Sequence, residues 1–239
     1  MLKHKKLKDV WDNNSKRVIA TYVKPTKKQI EKSRDFIYGW AMQINRKNSK
    51  RLLDVGCGIG QYVTGLRLLG FKAEGLDISP LSVKIGRKRG ERITLGDVRN
   101  MPFTDEEFDL VIAGGSIEHF HETEKAIKEI NRVLKINGVF LFNVPYKYTI
   151  YVLTKVIQQL FGVWQSGYEK SFSLSRLKIL LKDSGFEIAE VKKTGIAQGA
   201  RYPRLSNLLG KIDKVCLSLG FGGHHIWIKA VKVSQNKTK

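Results

Sequence analysis

The stretch RLLDVGCGIGQY, residues 51–62, carries an apolar segment through Asp54 into three alternating glycines, Gly56, Gly58 and Gly60. A short apolar run halted by glycine reads as a buried strand. Losing three side chains where that strand stops has two explanations. The glycines make a tight turn, or they let the backbone approach a ligand closely. The spacing is G-x-G-x-G, unlike the G-x-G-x-x-G of nicotinamide and flavin proteins, which counts against a bound pyrophosphate. The run alone leaves both explanations open.

Working outward, strands and helices take turns. QYVTGLRLLG reads as a helix stopped by Gly70, and FKAEGLDI as a second strand. PLSVKIGRKRG reads as a helix opened by Pro80 beside the N-cap Ser79. RITLGD is a third strand, FDLVIAGG a fourth and VFLFNVP a fifth. Before the fifth lies ETEKAIKEINRVLKING, an amphipathic helix ended by Asn137-Gly138. Upstream, apolar residues between Pro25 and Lys47 fit one amphipathic helix. This alternation predicts a parallel sheet covered on both faces. After Pro145 comes an aromatic-rich amphipathic segment, then a helix capped by Ser173 and a sixth strand, FEIAEVKK. LSNLLGKIDKVCLSLG reads as another helix, HHIWIKAVKV as a final alternating strand, and SQNKTK as a frayed end.

Ligands of such sheets bind beyond the carboxyl ends of the strands. Those ends carry DVGCGIG (54–60), LDIS (76–79), GDVRNMPF (96–103) and AGGSIEHF (113–120). Asp77 ends the second strand, where a carboxylate can accept hydrogen bonds from both ribose hydroxyls. Asp97 ends the third, beside Val98, and can meet an adenine amino group while apolar neighbours flank the ring. Each aspartate alone fits a loop cap. In order at successive strand ends, they describe a nucleoside pocket.

With these residues in place, the chain resembles the class I S-adenosylmethionine-dependent methyltransferases. LLDVGCGIGQY, EGLDIS, GDVRNMPF, FDLVIAGGSIEHF and EINRVLKINGVFLFNVP carry the resemblance over roughly residues 51–145. EKSFSLSRLKILLKDSGFEIAEV looks like the branch that includes ubiquinone-pathway and other small-molecule enzymes. The resemblance implies a doubly wound, Rossmann-like α/β fold: a mostly parallel seven-stranded sheet whose last strand, HHIWIKAVKV, is antiparallel. It implies S-adenosyl-L-methionine as cofactor. Asp54, Gly56, Gly58 and Gly60 would hold its methionine portion, Asp77 with Ile78 the ribose, and Asp97 with Val98 the adenine. Ala113 and Gly114 would pass close to the sulfonium. A side chain at Gly56 or Gly58 would occupy the cofactor's space.

His119 follows the fourth strand near the expected transfer centre and is the first candidate base, ahead of Glu118 and Ser116. Its alternative role is a hydrogen bond holding that loop. His121 is expected to open the next helix, and His224 and His225 to lie at a sheet edge or surface. Cys57 reads as a small packing residue. No Cys/His cluster has ligand spacing, so no metal is expected.

The domain division expected is a basic N-terminal helical segment or lid (1–50) and a methyltransferase domain (51–239). The latter divides into a cofactor-binding core (51–145), an insertion (146–170), a substrate-side half (171–233) and a tail (234–239). Charge follows the same division. Of 43 Lys/Arg and 22 Asp/Glu, residues 1–51 hold 15 against 4, residues 52–145 hold 12 against 13, and residues 146–239 hold 16 against 5. Basic flanks around a neutral middle suit an anionic partner, RNA or an acidic membrane surface; solubility or thermal adaptation explains them equally well. No signal peptide or membrane span is read, so a cytoplasmic protein, peripheral at most to a membrane, is expected. In the insertion, Ile150, Leu153, Ile157, Leu160 and Trp164 make a stripe that fits a lid. The same stripe fits a membrane interface with Lys147 and Lys155 at the headgroups. Trp11 and Tyr22 are placed to close over the cofactor.

The leading reading is methyl transfer to an oxygen or nitrogen of a small-molecule or lipid-like acceptor. The rivals are an RNA methyltransferase using the basic flanks and a cofactor-binding scaffold. NVPY (143–146) only superficially resembles the motif of base-modifying amino methyltransferases, and it follows the fifth strand, not the fourth.

Overall fold

Along the first strand, Leu52 and Leu53 are both fully buried yet enter different cores, so this strand has no solvent face. The computed structural model describes residues 11–12, 15, 18–19, 21–33, 35–44, 50–161, 164, 167–194 and 224–234, with backbone alone at 150, 151, 153 and 154. The strands are β1 (Arg51–Val55), β2 (Lys72–Asp77), β3 (Ile93–Leu95), β4 (Phe108–Gly114), β5 (Leu134–Pro145), β6 (Phe186–Thr194) and β7 (His225–Lys232). They form one sheet in the order β3-β2-β1-β4-β5-β7-β6. The first five pair in parallel, and β7 lies antiparallel between β5 and β6. This is the doubly wound fold that the sequence predicts.

The helices are α1 (Lys27–Glu31), α2 (Phe36–Gln43), α3 (Gln61–Leu68), α4 (Pro80–Lys88), α5 (Thr123–Val133), α6 (Ile150–Leu160) and α7 (Leu174–Asp183). A 3-10 turn spans Ile117–His119. On one face of the sheet Leu53, Val111 and Phe140 pack with Ile127 and Ile130 of α5 and Leu177 of α7. On the other, Leu52, Ile112 and Leu141 pack with Trp40 of α2 and Leu66 of α3. Chain order reverses direction across the β1–β4 pair, which leaves a crevice above their carboxyl ends.

Several boundaries differ from expectation. The helix predicted between Pro25 and Lys47 is two helices because two N-caps compete. Thr26 forms a capping box with Gln29, and Asp35 accepts a hydrogen bond from the Ile37 N–H. Helix α5 ends at Val133, not at Asn137-Gly138, because Leu134 is fully buried and extended and already enters β5. Asn137 instead turns the chain inside the β5 span, at φ 61°. His224 and His225 are not at a sheet edge, since β7 is flanked by β5 and β6. His121 precedes α5, which starts at Thr123. The caps Ser79 and Ser173 are in place, accepting from Ser82 N–H and Arg176 N–H.

The insertion departs furthest from its predicted stripe. Ile157 and Leu160 are exposed, whereas Lys155 is buried and donates to the carbonyl and carboxylate of Glu169. Neither a core-packed lid through those residues nor a headgroup-facing Lys155 matches this placement. Ile150 and Leu153 lie outside the described side chains, and LSNLLGKIDKVCLSLG and residues 235–239 outside the described residues. Among the described residues, no helix is long and apolar enough to cross a membrane.

Candidate active site

The three glycines after β1 all have positive φ, 70° at Gly56, 55° at Gly58 and 85° at Gly60, so each sits where an L side chain is strained. Backbone N–H groups of Gly56 and Cys57 both donate to the Leu76 carbonyl, tying the loop to β2. Asp77 completes the tie: Oδ2 accepts from Gly58 N–H at 2.7 Å and Oδ1 from Ser79 N–H at 2.8 Å. One carboxylate thus fixes both the glycine loop and the start of α4. Its burial raises the Asp77 pKa against those two bonds, and Asp12 raises it further.

The glycines have different reasons. A Cβ on Gly56 would stand 2.5 Å from Ser116 Cβ, in the loop after β4. Ser116 Oγ also donates to the Val55 carbonyl, so these two loops are packed together. The expectation that a Gly56 side chain fills cofactor space is therefore corrected: it collides with protein first. A Cβ on Gly58 would meet nothing within 4 Å. Gly60 opens α3 and packs against Glu91 and Ile93. Cys57 is buried, with burial raising its thiol pKa, and it packs where Gly75 lacks a side chain.

A cavity of about 250 Å³ lies over this loop. Of the predicted residues, Asp54, Gly56, Gly58, Asp77, Ile78, Val98 and Gly114 line it, while Gly60, Asp97, Ala113 and His119 do not. Asp97 is held in an ion pair with Arg99, at 2.6 Å, and Arg99 also reaches Glu122 at 2.7 Å. Arg99 lies 5.6 Å from the Phe120 ring, and Phe120 with Val98, Leu76 and Gly96 gives the cavity an apolar wall. Sequence reasoning missed Phe120, Gln61, Ser82 and Tyr62. Tyr62 donates to Asp35, the cap of α2, at 2.7 Å. No spacing rule finds such a long-range pair.

Trp11, Ser15 and Val18 cover the cavity from the N-terminal side; these described residues are helical. Ser15 Oγ lies 2.5 Å from Ser82 Oγ, and Asp12 accepts from Ser79 Oγ. Tyr22 does not line the cavity; the Arg89 guanidinium stacks on its ring. The cavity fits an adenosyl amino acid on two observations. Asp54 is buried with no partner for Oδ2 among the described residues, and burial and the Asp77 charge push its pKa well up, so it calls for a cation or donor. Gly58 lines the same cavity, and a Cβ there would meet nothing within 4 Å among the described residues.

His119 sits beside the cavity, edge-on to Trp11 at 4.7 Å between ring centroids. Its Nδ1 lies 2.7 Å from the Tyr168 carbonyl, which can only accept, so Nδ1 carries the proton and Nε2 is left as an acceptor. Burial lowers its pKa and keeps the ring neutral. Next to it, Glu118 is fully buried and its pKa is raised to about 8, burial outweighing the other influences. The folded chain then holds a proton that the unfolded chain has released above its ordinary carboxyl pKa, so stability falls as pH rises from about 4.5 to about 8. Glu118→Gln is expected to remove this slope, worth up to about 1.4 kcal/mol per pH unit. Melting temperatures of both proteins at pH 5 and pH 8 check it: the variant gains on the wild type only at pH 8.

A methyltransferase domain family model matches residues 53–142, the span holding the glycine loop, Asp77 and the β4–β5 pair. Over that span the chain carries a methyltransferase domain of the S-adenosylmethionine-dependent kind. The chain is 32% identical over 109 residues to sterol 4-C-methyltransferase strm-1 of Caenorhabditis elegans, covering 42% of itself but 33% of that protein. It is 26% identical over 176 residues to a demethylmenaquinone methyltransferase of Staphylococcus saprophyticus, covering 63% of itself and 76% of that protein. Among solved structures, a chain of the Haloferax volcanii complex containing the Trm112 methyltransferase activator superposes with a TM-score of 0.69. It is 20% identical, and the match covers 96% of this chain and 99% of that one, a likeness of fold.

Proposed function

We propose that the protein transfers a methyl group from S-adenosyl-L-methionine to an oxygen or nitrogen of a small-molecule or lipid-like acceptor. The observation that carries this is the neutral His119 with Nε2 left as acceptor, buried beside the cofactor cavity. In this reading the glycine loop and Asp54 hold the methionine portion, and Asp77 with Ile78 takes the ribose. Val98 flanks the adenine with Phe120, and Asp97 acts through Arg99 to fix that wall. When bound, the cofactor supplies a methyl group on positively charged sulfur, open to direct displacement by a lone pair. His119 accepts the proton that an oxygen acceptor releases. The similarity to a demethylmenaquinone methyltransferase over most of this chain supports an acceptor of that size and polarity.

Replacing His119 with alanine is expected to lower the transfer rate about 100-fold, the low end for a positioned base. Cofactor affinity by calorimetry should stay within about twofold, because His119 does not line the cavity. Undiminished turnover leaves His119 with the structural task of holding the Tyr168 carbonyl. The acceptor class is tested by incubating a metabolite and lipid extract, and separately total RNA, with methyl-labelled cofactor. The expected label is in the organic-soluble fraction. Label in RNA, with affinity falling steeply as salt rises, supports the second reading that the basic flanks favour.

A further inference from the structure

We infer that Glu118 is a second acceptor-binding group: its carboxyl and Nε2 of His119 close together on one uncharged hydroxyl of the acceptor. The inference deepens the methyltransferase reading and rests on it for the meaning of "acceptor". Glu118 follows Gly115, which lines the cofactor cavity, and its Oε1 lies 3.7 Å from where a Gly115 Cβ would stand. The residue is 2% exposed, yet Oε2 has no hydrogen-bond partner among the described residues. A buried, unsatisfied carboxyl oxygen costs about 1–3 kcal/mol; that oxygen is Oε2, while the one turned toward His119 across the gap is Oε1.

Oε1 and His119 Nε2 are 3.9 Å apart, too far for a direct bond. An oxygen about 2.8 Å from each completes a triangle over that gap. Such an oxygen can donate its proton to Nε2 and accept one from the carboxyl. A hydroxyl does both; an ionised oxygen or an ammonium does only one. In methyl transfer a lone pair of that oxygen would form the O–CH3 bond while the S–CH3 pair leaves with the sulfur; the O–H bond would break with its pair kept on oxygen, and the proton would pass to Nε2.

The surroundings keep this place uncharged. The charged groups facing Glu118 from the insertion are Lys155 and Glu169, and they are paired with each other at 3.2 Å. On its own turn it faces only His119, which is neutral. Among the described residues, the cation and the carboxylate facing Glu118 from the insertion are thus committed to each other, in a chain of net charge +21.

Glu118→Gln keeps shape and hydrogen bonding without the ability to ionise, and Glu118→Ala removes both. The probe is phenol, titrated in the presence of S-adenosylhomocysteine and followed by calorimetry and by tryptophan fluorescence, since Trp11 touches His119. Glu118→Gln should bind phenol within about threefold of the wild type at pH 7, and Glu118→Ala at least 10-fold more weakly. Wild-type binding should weaken above about pH 8, where the carboxyl ionises, while the Gln variant stays flat. Cofactor-product affinity should be equal in all three proteins. Equal phenol affinity in all three, or none in the wild type, overturns the proposal. Loss in Gln as severe as in Ala also overturns it, because an ionised Glu118 serving an amine behaves so. If the Ala variant does not fold, the pH contrast between wild type and Gln decides alone. If S-adenosylhomocysteine does not bind the wild type, the cofactor assignment fails, and phenol affinity without it still judges the Glu118–His119 pair.

Discussion

Asp77→Ala is expected to weaken S-adenosylmethionine binding by at least about 100-fold, the largest effect of any single change in the cavity. Two losses add. The ribose loses its acceptor, and the Gly58 and Ser79 N–H groups lose theirs. Hydrogen bonds to a charged group contribute about 1.5–3 kcal/mol each, and about 2.8 kcal/mol is 100-fold in affinity. Because both N–H groups belong to the loop and to the start of α4, the variant should also lose protection of those amides from hydrogen exchange. Calorimetry with the cofactor checks the first loss. Affinity equal to wild type removes Asp77 from the ribose and leaves it a loop clamp.

The glycines supply the second large effect, and they should separate stability from binding. Gly56→Ala meets Ser116 at 2.5 Å and takes φ 70°, so the loops after β1 and β4 must part. We expect destabilisation of about 3 kcal/mol, or a fall of about 10 °C in melting temperature for a chain of this length. Gly58→Ala has open space around its new methyl and strains only the backbone, by about 1–2 kcal/mol. Its melting temperature should fall by only a few degrees, while cofactor affinity drops by at least about 10-fold. A Gly58→Ala protein with full affinity shows that the cofactor does not approach that face. A Gly56→Ala protein as stable as wild type shows that the Ser116 contact yields without cost.

Much of this fold is legible because its strands are bounded by strong local signals. Apolar runs, glycine at φ above zero and serine caps all act within a few residues, so β1, β2, β4 and helices α4 and α7 fall where the pattern places them. The misreadings come from long-range packing. Leu134 leaves its helix because the core of the sheet takes it. Asp97 is a local exception, its carboxylate turned to Arg99 only two residues on. The chain also hides its site's polarity. His119 and Glu118 are adjacent letters, but their chemistry depends on the Tyr168 carbonyl and on Lys155 and Glu169, which lie 36 to 51 residues further along the chain. No periodicity announces that a lysine in an apolar helix turns inward.

The contacts Asp12–Ser79 and Ser15–Ser82 fasten the N-terminal residues to the same helix whose first turn is set by Asp77. With Trp11 and Val18 overhead, a bound nucleoside is walled in on that side. In the proposed function, a nucleoside passing on that side has to part the Asp12–Ser79 and Ser15–Ser82 contacts. Those two contacts, and not any group at the reacting atoms, are then what a departing nucleoside meets first on that side.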